Sequence, residues 1–144
     1  MNTNQHTGTI LVVDDERAYR DAVADVLRSQ GYTVLKAGSA AQAIKVLDLT
    51  TPELIMLDVM MPEIDGLTLL RQLASEPRFL GVPLVMASAK AMPTDRWTAW
   101  ERGASAYLAK PFTFEEVTSL VEHLLTPPDT EGVPFEMVER LAAN

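Results

Sequence analysis

The chain has no cysteine among its 144 residues, so neither a disulfide framework nor a thiolate metal centre is open to it. No apolar run approaches the length of a membrane span, and residues 1–8 are polar without the basic-then-apolar order of a secretory signal; the cytoplasm is the expected location. Positive charge is scarce, with 12 Lys and Arg against 20 Asp and Glu for a net charge of −8, which argues against a broad phosphate-binding surface and hence against nucleic-acid binding by this chain. No internal repeat or low-complexity tract is present, and the one clear linker signal is Thr126-Pro127-Pro128. What remains is a composition of 47% hydrophobic and 22% charged residues, that of one ordinary globular domain with a continuous core.

Short apolar runs alternate with amphipathic stretches from Thr9 to Leu125, the pattern of an α/β doubly wound parallel sheet with helices on both faces. Five strands and five helices are expected. Tyr19, Val23, Val26 and Leu27 form one stripe of a first helix over 16–30 that stops at Gly31. Ser39 with Gln42, and Thr113 with Glu116, have the spacing of capping boxes that open the second and last helices. Asp65 suits the N-cap of a third helix running through Ser75, and Gly103 closes a fourth that starts near Thr94. The last helix, 113–125, carries Phe114, Val117, Leu120, Val121 and Leu124 at core spacing. Residues 1–8 read as a flexible start and 9–125 as the domain. Residues 126–144 carry Phe135, Val138 and Leu141 at helical spacing, too little for a core, and read as a tail or linker.

Chemistry-bearing residues follow four of the apolar runs: Asp14-Asp15 after Thr9–Val13, Asp58 after Leu54–Leu57, Ser88 after Leu84–Ala87, and Lys110-Pro111 after Ala106–Leu108. The carboxyl ends of the strands in an open parallel sheet line one crevice, so these side chains are expected to meet. Taken singly each has a duller reading. Asp14 or Asp15 would serve as a helix cap, Ser88 as a local hydrogen bonder, Lys110 as a solvated side chain and Tyr107 as filler. Three carboxylates about 5 Å apart repel by roughly 3 kcal/mol per pair at an effective dielectric near 20, so a divalent cation or a proton must relieve them. Oxygen-only donors favour magnesium.

The runs Val12-Val13-Asp14-Asp15-Glu16, Leu57-Asp58-Val59-Met60-Met61-Pro62-Glu63-Ile64-Asp65-Gly66, Met86-Ala87-Ser88-Ala89 and Tyr107-Leu108-Ala109-Lys110-Pro111-Phe112 resemble the receiver domain of two-component response regulators. Ser88 stands 30 positions and Lys110 52 positions after Asp58, which also suits that family, and the resemblance covers about residues 8 to 125. It implies a CheY-like, flavodoxin-like sheet of order 2-1-3-4-5. It implies that Asp58 accepts a phosphoryl group from a histidine kinase or histidine phosphotransfer protein, with Mg held by Asp15, Asp58 and the backbone carbonyl of Met60 and, through water, by Asp14. Lys110 and the Ser88 hydroxyl would stabilise the phosphoryl group, Ser88 and Tyr107 would act as the switch read by an unknown downstream protein, and Lys110-Pro111 would be cis. Met60 and Lys90, each two positions after a site residue, would tune the lifetime of the acyl phosphate, Met60 by restricting water.

By the same resemblance the chemistry is self-phosphorylation and autodephosphorylation rather than enzymatic turnover. A phosphatase resembling the haloacid dehalogenases would need an acid two residues after the nucleophile, where Met60 stands. A vestigial, phosphorylation-independent interaction module is opposed by the intact residue set. Trp97 and Trp100 are expected to divide between one buried and one partly exposed ring beside Tyr107, with burial of both as the alternative; the exposed ring would join a partner-binding patch on the fourth helix, last strand and last helix. Ala104-Ser105-Ala106 stands where DNA-binding members that dimerise through that face commonly carry acidic residues.

Overall fold

The structure, a computed structural model, describes residues 8–90 and 92–126. The start before Gly8 and the tail after Thr126, including the Phe135, Val138 and Leu141 stripe, lie outside the described residues.

Five strands, β1 (Thr9–Val13), β2 (Thr33–Ala37), β3 (Leu54–Asp58), β4 (Leu84–Ser88) and β5 (Ala106–Ala109), form one parallel sheet in the order β2-β1-β3-β4-β5. The helices α1 (Arg17–Ser29), α2 (Ala40–Leu49), α3 (Gly66–Ala74), α4 (Pro93–Glu101) and α5 (Phe114–Leu125) connect them, and a single 3-10 turn, Pro77–Phe79, precedes β4. The inner strands β3 and β4 are buried at every position, which is why they read as unbroken apolar runs, whereas the edge strand β2 is only partly covered, with Thr33 and Lys36 exposed. Period-two alternation splits the core into two layers. Leu11, Val13, Ile55, Leu57 and Met86 pack with Ala43, Leu47, Leu69, Leu70, Leu73 and Ala99 of α2, α3 and α4. Ile10, Val12, Leu54, Met56 and Val85 face Val23, Leu27, Val117 and Val121 of α1 and α5.

The caps follow the sequence closely. Ser39, Asp65 and Thr113 accept from the backbone N–H groups of Gln42, Thr68 and Glu116. The Gln42 side chain accepts from Gly38 N–H rather than from that of Ser39, so the box is shifted by one residue. Gly31 and Gly103 take φ of +104° and +110° at the helix ends. Two expectations fail. Phe114, the first residue of α5, is 56% exposed, and the helix buries Val117 and Val121 instead. Both tryptophans are on the surface, Trp97 at 64% and Trp100 at 48% exposure; Ala99, fully buried, is the α4 residue that meets the sheet, and this turns its neighbours outward.

Candidate functional site

Four strand ends converge on a small buried cluster. Asp14, directly after β1, is 6% exposed and held at both ends: its N–H donates to the Ala37 carbonyl, its own carbonyl accepts from Arg20 Nη1, and its Oδ1 accepts from the Glu16 N–H at 2.8 Å. Asp58 ends β3 at 3% exposure, and its Oδ1 accepts from the Met60 N–H at 3.0 Å. Lys110 follows β5 with its side chain only 4% exposed, its Nζ 2.8 Å from Asp14 Oδ2, 3.4 Å from Asp58 Oδ2 and 3.6 Å from Glu16 Oε1. The Lys110-Pro111 bond is cis.

Ser88, fully buried at the end of β4, accepts from the Lys90 N–H through Oγ, and its carbonyl accepts from the Lys110 N–H. The Tyr107 hydroxyl donates to the Lys90 carbonyl. The Lys90 backbone thus joins Ser88 to Tyr107. The Arg96 guanidinium lies 5.7 Å from the centre of the Tyr107 ring.

Glycine is required where α3 begins, against the end of β3. The N–H of Gly66 donates to the Val59 carbonyl, and a Cβ at this position would lie 1.9 Å from the Asp58 carbonyl oxygen. The close approach, not an unusual φ, excludes a side chain. Glu63 in the same loop takes φ of +69°, in the left-handed region.

Electrostatically the cluster is unbalanced. Oxygens of Asp14, Glu16 and Asp58 lie within 4.8 Å of one another, with Lys110 as the cation among them. Burial pushes Asp58 up to about 6; the Met60 N–H opposes this, the Asp14 charge adds to it and Lys110 works against it. Burial alone would lower Lys110, but the hydrogen bond to Asp14 and the charges of Asp14, Asp58 and Glu16 outweigh it and hold the amine above its ordinary value. Burial raises the Tyr107 phenol. The three carboxylates, Asp58 among them, form a cluster of oxygen donors able to hold a metal ion.

Of the residues named from sequence, Asp14, Asp58 and Lys110 meet directly, and Ser88 and Tyr107 join them through the next strand ends. Asp15 is exposed and stands outside the carboxylate triplet; it lines an open groove of about 490 Å³ with Met60, Asp65 and Lys90. Sequence reasoning missed Glu16, which opened the expected first helix with no role of its own, and Tyr19, which was assigned to the core stripe of α1. The Tyr19 ring lies with its centre 4.3 Å from Lys110 Nζ, and it meets Phe112 edge-on at 5.6 Å.

Comparison with known proteins places this geometry. The response regulator receiver domain family matches residues 10–122. Response regulator Rre1 of Synechocystis is 36% identical over 118 residues, 81% of this chain and 51% of its own length. Response regulator MprA of Mycolicibacterium vanbaalenii is 38% identical over 126 residues, 85% of this chain and 54% of its own. The chain therefore spans about half the length of these curated relatives. Among solved structures, the receiver domain of NtrX from Brucella abortus superposes with a TM-score of 0.75 at 32% identity, over 81% of this chain and 97% of that one. The chemotaxis regulator CheY4 of Vibrio cholerae shares the fold with a TM-score of 0.79 at 24% identity, over 83% of this chain and all of that one.

Proposed function

The chain belongs to the response regulator receiver family, signalling modules that receive their input from histidine kinases, and on that basis we propose that Asp58 is the phosphoacceptor. The observation that carries this reading is the buried Lys110 amine standing between Asp14 and Asp58 at the carboxyl rim of the sheet. An Asp58 carboxylate oxygen attacks the phosphorus of a phosphohistidine on a kinase or phosphotransfer protein, the phosphorus–nitrogen bond breaks, and an acyl phosphate forms. Lys110 turns from Asp58 to the new phosphoryl oxygens, and the Ser88 hydroxyl donates to them in place of its present resting contact. Water later releases phosphate and restores the carboxylate.

Asp15, Asp58 and the Met60 carbonyl, with Asp14 through water, would hold magnesium, which when bound neutralises the crowded carboxylates and the developing phosphoryl charge. Glu16 is the competing ligand, since its carboxylate stands nearer Asp58 and Asp14 in the triplet. Asp15→Asn is expected to weaken magnesium binding by about tenfold or more and Glu16→Gln by far less; the reverse order would exchange their roles.

Ser88 is tied to Tyr107 through Lys90, so movement of the hydroxyl toward the phosphoryl group releases the hold on the ring. Trp100, half exposed, lines one surface pocket with Tyr107, which supports reading by a downstream protein. Met60, 56% exposed at the groove, is the residue to restrict hydrolytic water; an unchanged rate of phosphate release in Met60→Asn would remove that role. No helix among the described residues is long and apolar enough to cross a membrane.

The decisive experiment is incubation with magnesium and a small phosphodonor, followed by intact-mass and peptide mapping. One phosphoryl group on Asp58, absent from Asp58→Asn, is expected; a wild-type chain that takes up none overturns the proposal.

A further inference from the structure

We propose that Tyr19 is a positioning residue for phosphoryl transfer, its aromatic face holding the Lys110 amine over the acceptor site while that amine changes partners. This rests on the reading of Asp58 as phosphoacceptor. Lys110 Nζ has hydrogen bonds to Asp14 and Asp58, and the Tyr19 ring centre lies 4.3 Å away, well inside cation–π range. The ring is fixed in turn. Tyr19 sits on the first turns of α1, partly buried, and Phe112 packs edge-on against it at 5.6 Å from the segment that also carries Lys110.

Two physical features suit the ring to this task. Attraction to a π face is only weakly directional, whereas a hydrogen bond is lost when the donor turns; the amine can swing from the carboxylate of Asp58 to a phosphoryl oxygen without leaving the ring. The ring also covers one side of an amine whose side chain is 4% exposed, which keeps water away and strengthens its pull on developing negative charge. A carboxylate placed there instead would hold the amine more tightly and oppose the swing. Asp14 and Glu16 already pull it that way, at 2.8 and 3.6 Å.

The test compares Asp58 labelling by a small phosphodonor in saturating magnesium for the wild-type chain, Tyr19→Phe and Tyr19→Leu. Loss of the π face in Tyr19→Leu is expected to slow labelling by roughly threefold to thirtyfold, and Tyr19→Phe to stay within about twofold of wild type. The double-mutant cycle with Lys110→Ala separates positioning from packing: in that background Tyr19→Leu should cost nothing further, and a cost equal to that in wild type overturns the inference. If Tyr19→Leu does not fold, phenylalanines of increasing fluorination at position 19 take its place; the rate should fall with each fluorine, and a flat series is equally fatal. A wild-type chain that takes no label defeats the phosphoacceptor reading itself, whereas a labelled wild type with an equally fast Tyr19→Leu defeats only the role of Tyr19.

Discussion

The middle of the sheet and its carboxyl rim are built from the same five strands and obey different rules. In the middle, Leu11, Ile55 and Met86 are fully buried among apolar neighbours, and each contributes by volume alone. A few residues further along the strands the buried groups are Asp14, Asp58 and Ser88, and each is held by a specific donor or acceptor. The middle makes the fold stable, while the rim gives up some of that stability to keep charge out of water.

Four measurements test this division. Leu11→Ala, in the middle, should lower unfolding free energy by about 2–5 kcal/mol in a denaturant titration, while folded protein still labels on Asp58 at close to the wild-type rate. Gly66→Ala, at the rim, should cost about 1–3 kcal/mol although alanine is the better helix former by about 1 kcal/mol, because its Cβ would strike the Asp58 carbonyl. A stabilised Gly66→Ala would show that the rim yields as easily as a surface helix.

The third change has the opposite sign. Asp58 binds its proton more tightly folded than unfolded, so its contribution to stability falls as pH rises from about 4 to about 6 and stays low above that. Metal-free Asp58→Asn should therefore be more stable than wild type by about 1–3 kcal/mol at pH 7–8, the lower figure allowing for solvent screening at the open side of the site. The gap should close below about pH 4, and added magnesium should narrow it at neutral pH. A constant gap across pH would mean that the burial of Asp58 carries no electrostatic cost. Smallest is Ser39→Ala, away from both regions, at about 1 kcal/mol by thermal or denaturant unfolding, from loss of the N-cap to Gln42.

The same division decided what could be foreseen. Strand order followed from the resemblance to receiver domains, whereas the helix caps and the convergence of Asp14, Asp58, Ser88 and Lys110 were legible because period and chain direction determine which residues end a strand at the crevice. Side-chain direction just beyond a strand was not. Asp15 and Glu16 are adjacent acids after the same strand, and sequence carries no sign of which one turns toward Asp14. Gly66 follows the capping Asp65, yet its reason is the Asp58 carbonyl eight residues earlier rather than its own conformation. Tyr19 fitted the core stripe of α1, and only the placement of Lys110 from β5 turns it from filler into a contact. Trp97 and Trp100 misled for the complementary reason, since their bulk suggested burial that small Ala99 supplies instead.

The bare Cα of Gly66 against the peptide of Asp58 leaves no slack between them. Helix α3 begins at that glycine, and its first N–H is bonded to Val59. A shift of the Asp58 peptide would therefore meet the first residue of α3 directly, with no intervening side chain to bend and absorb it.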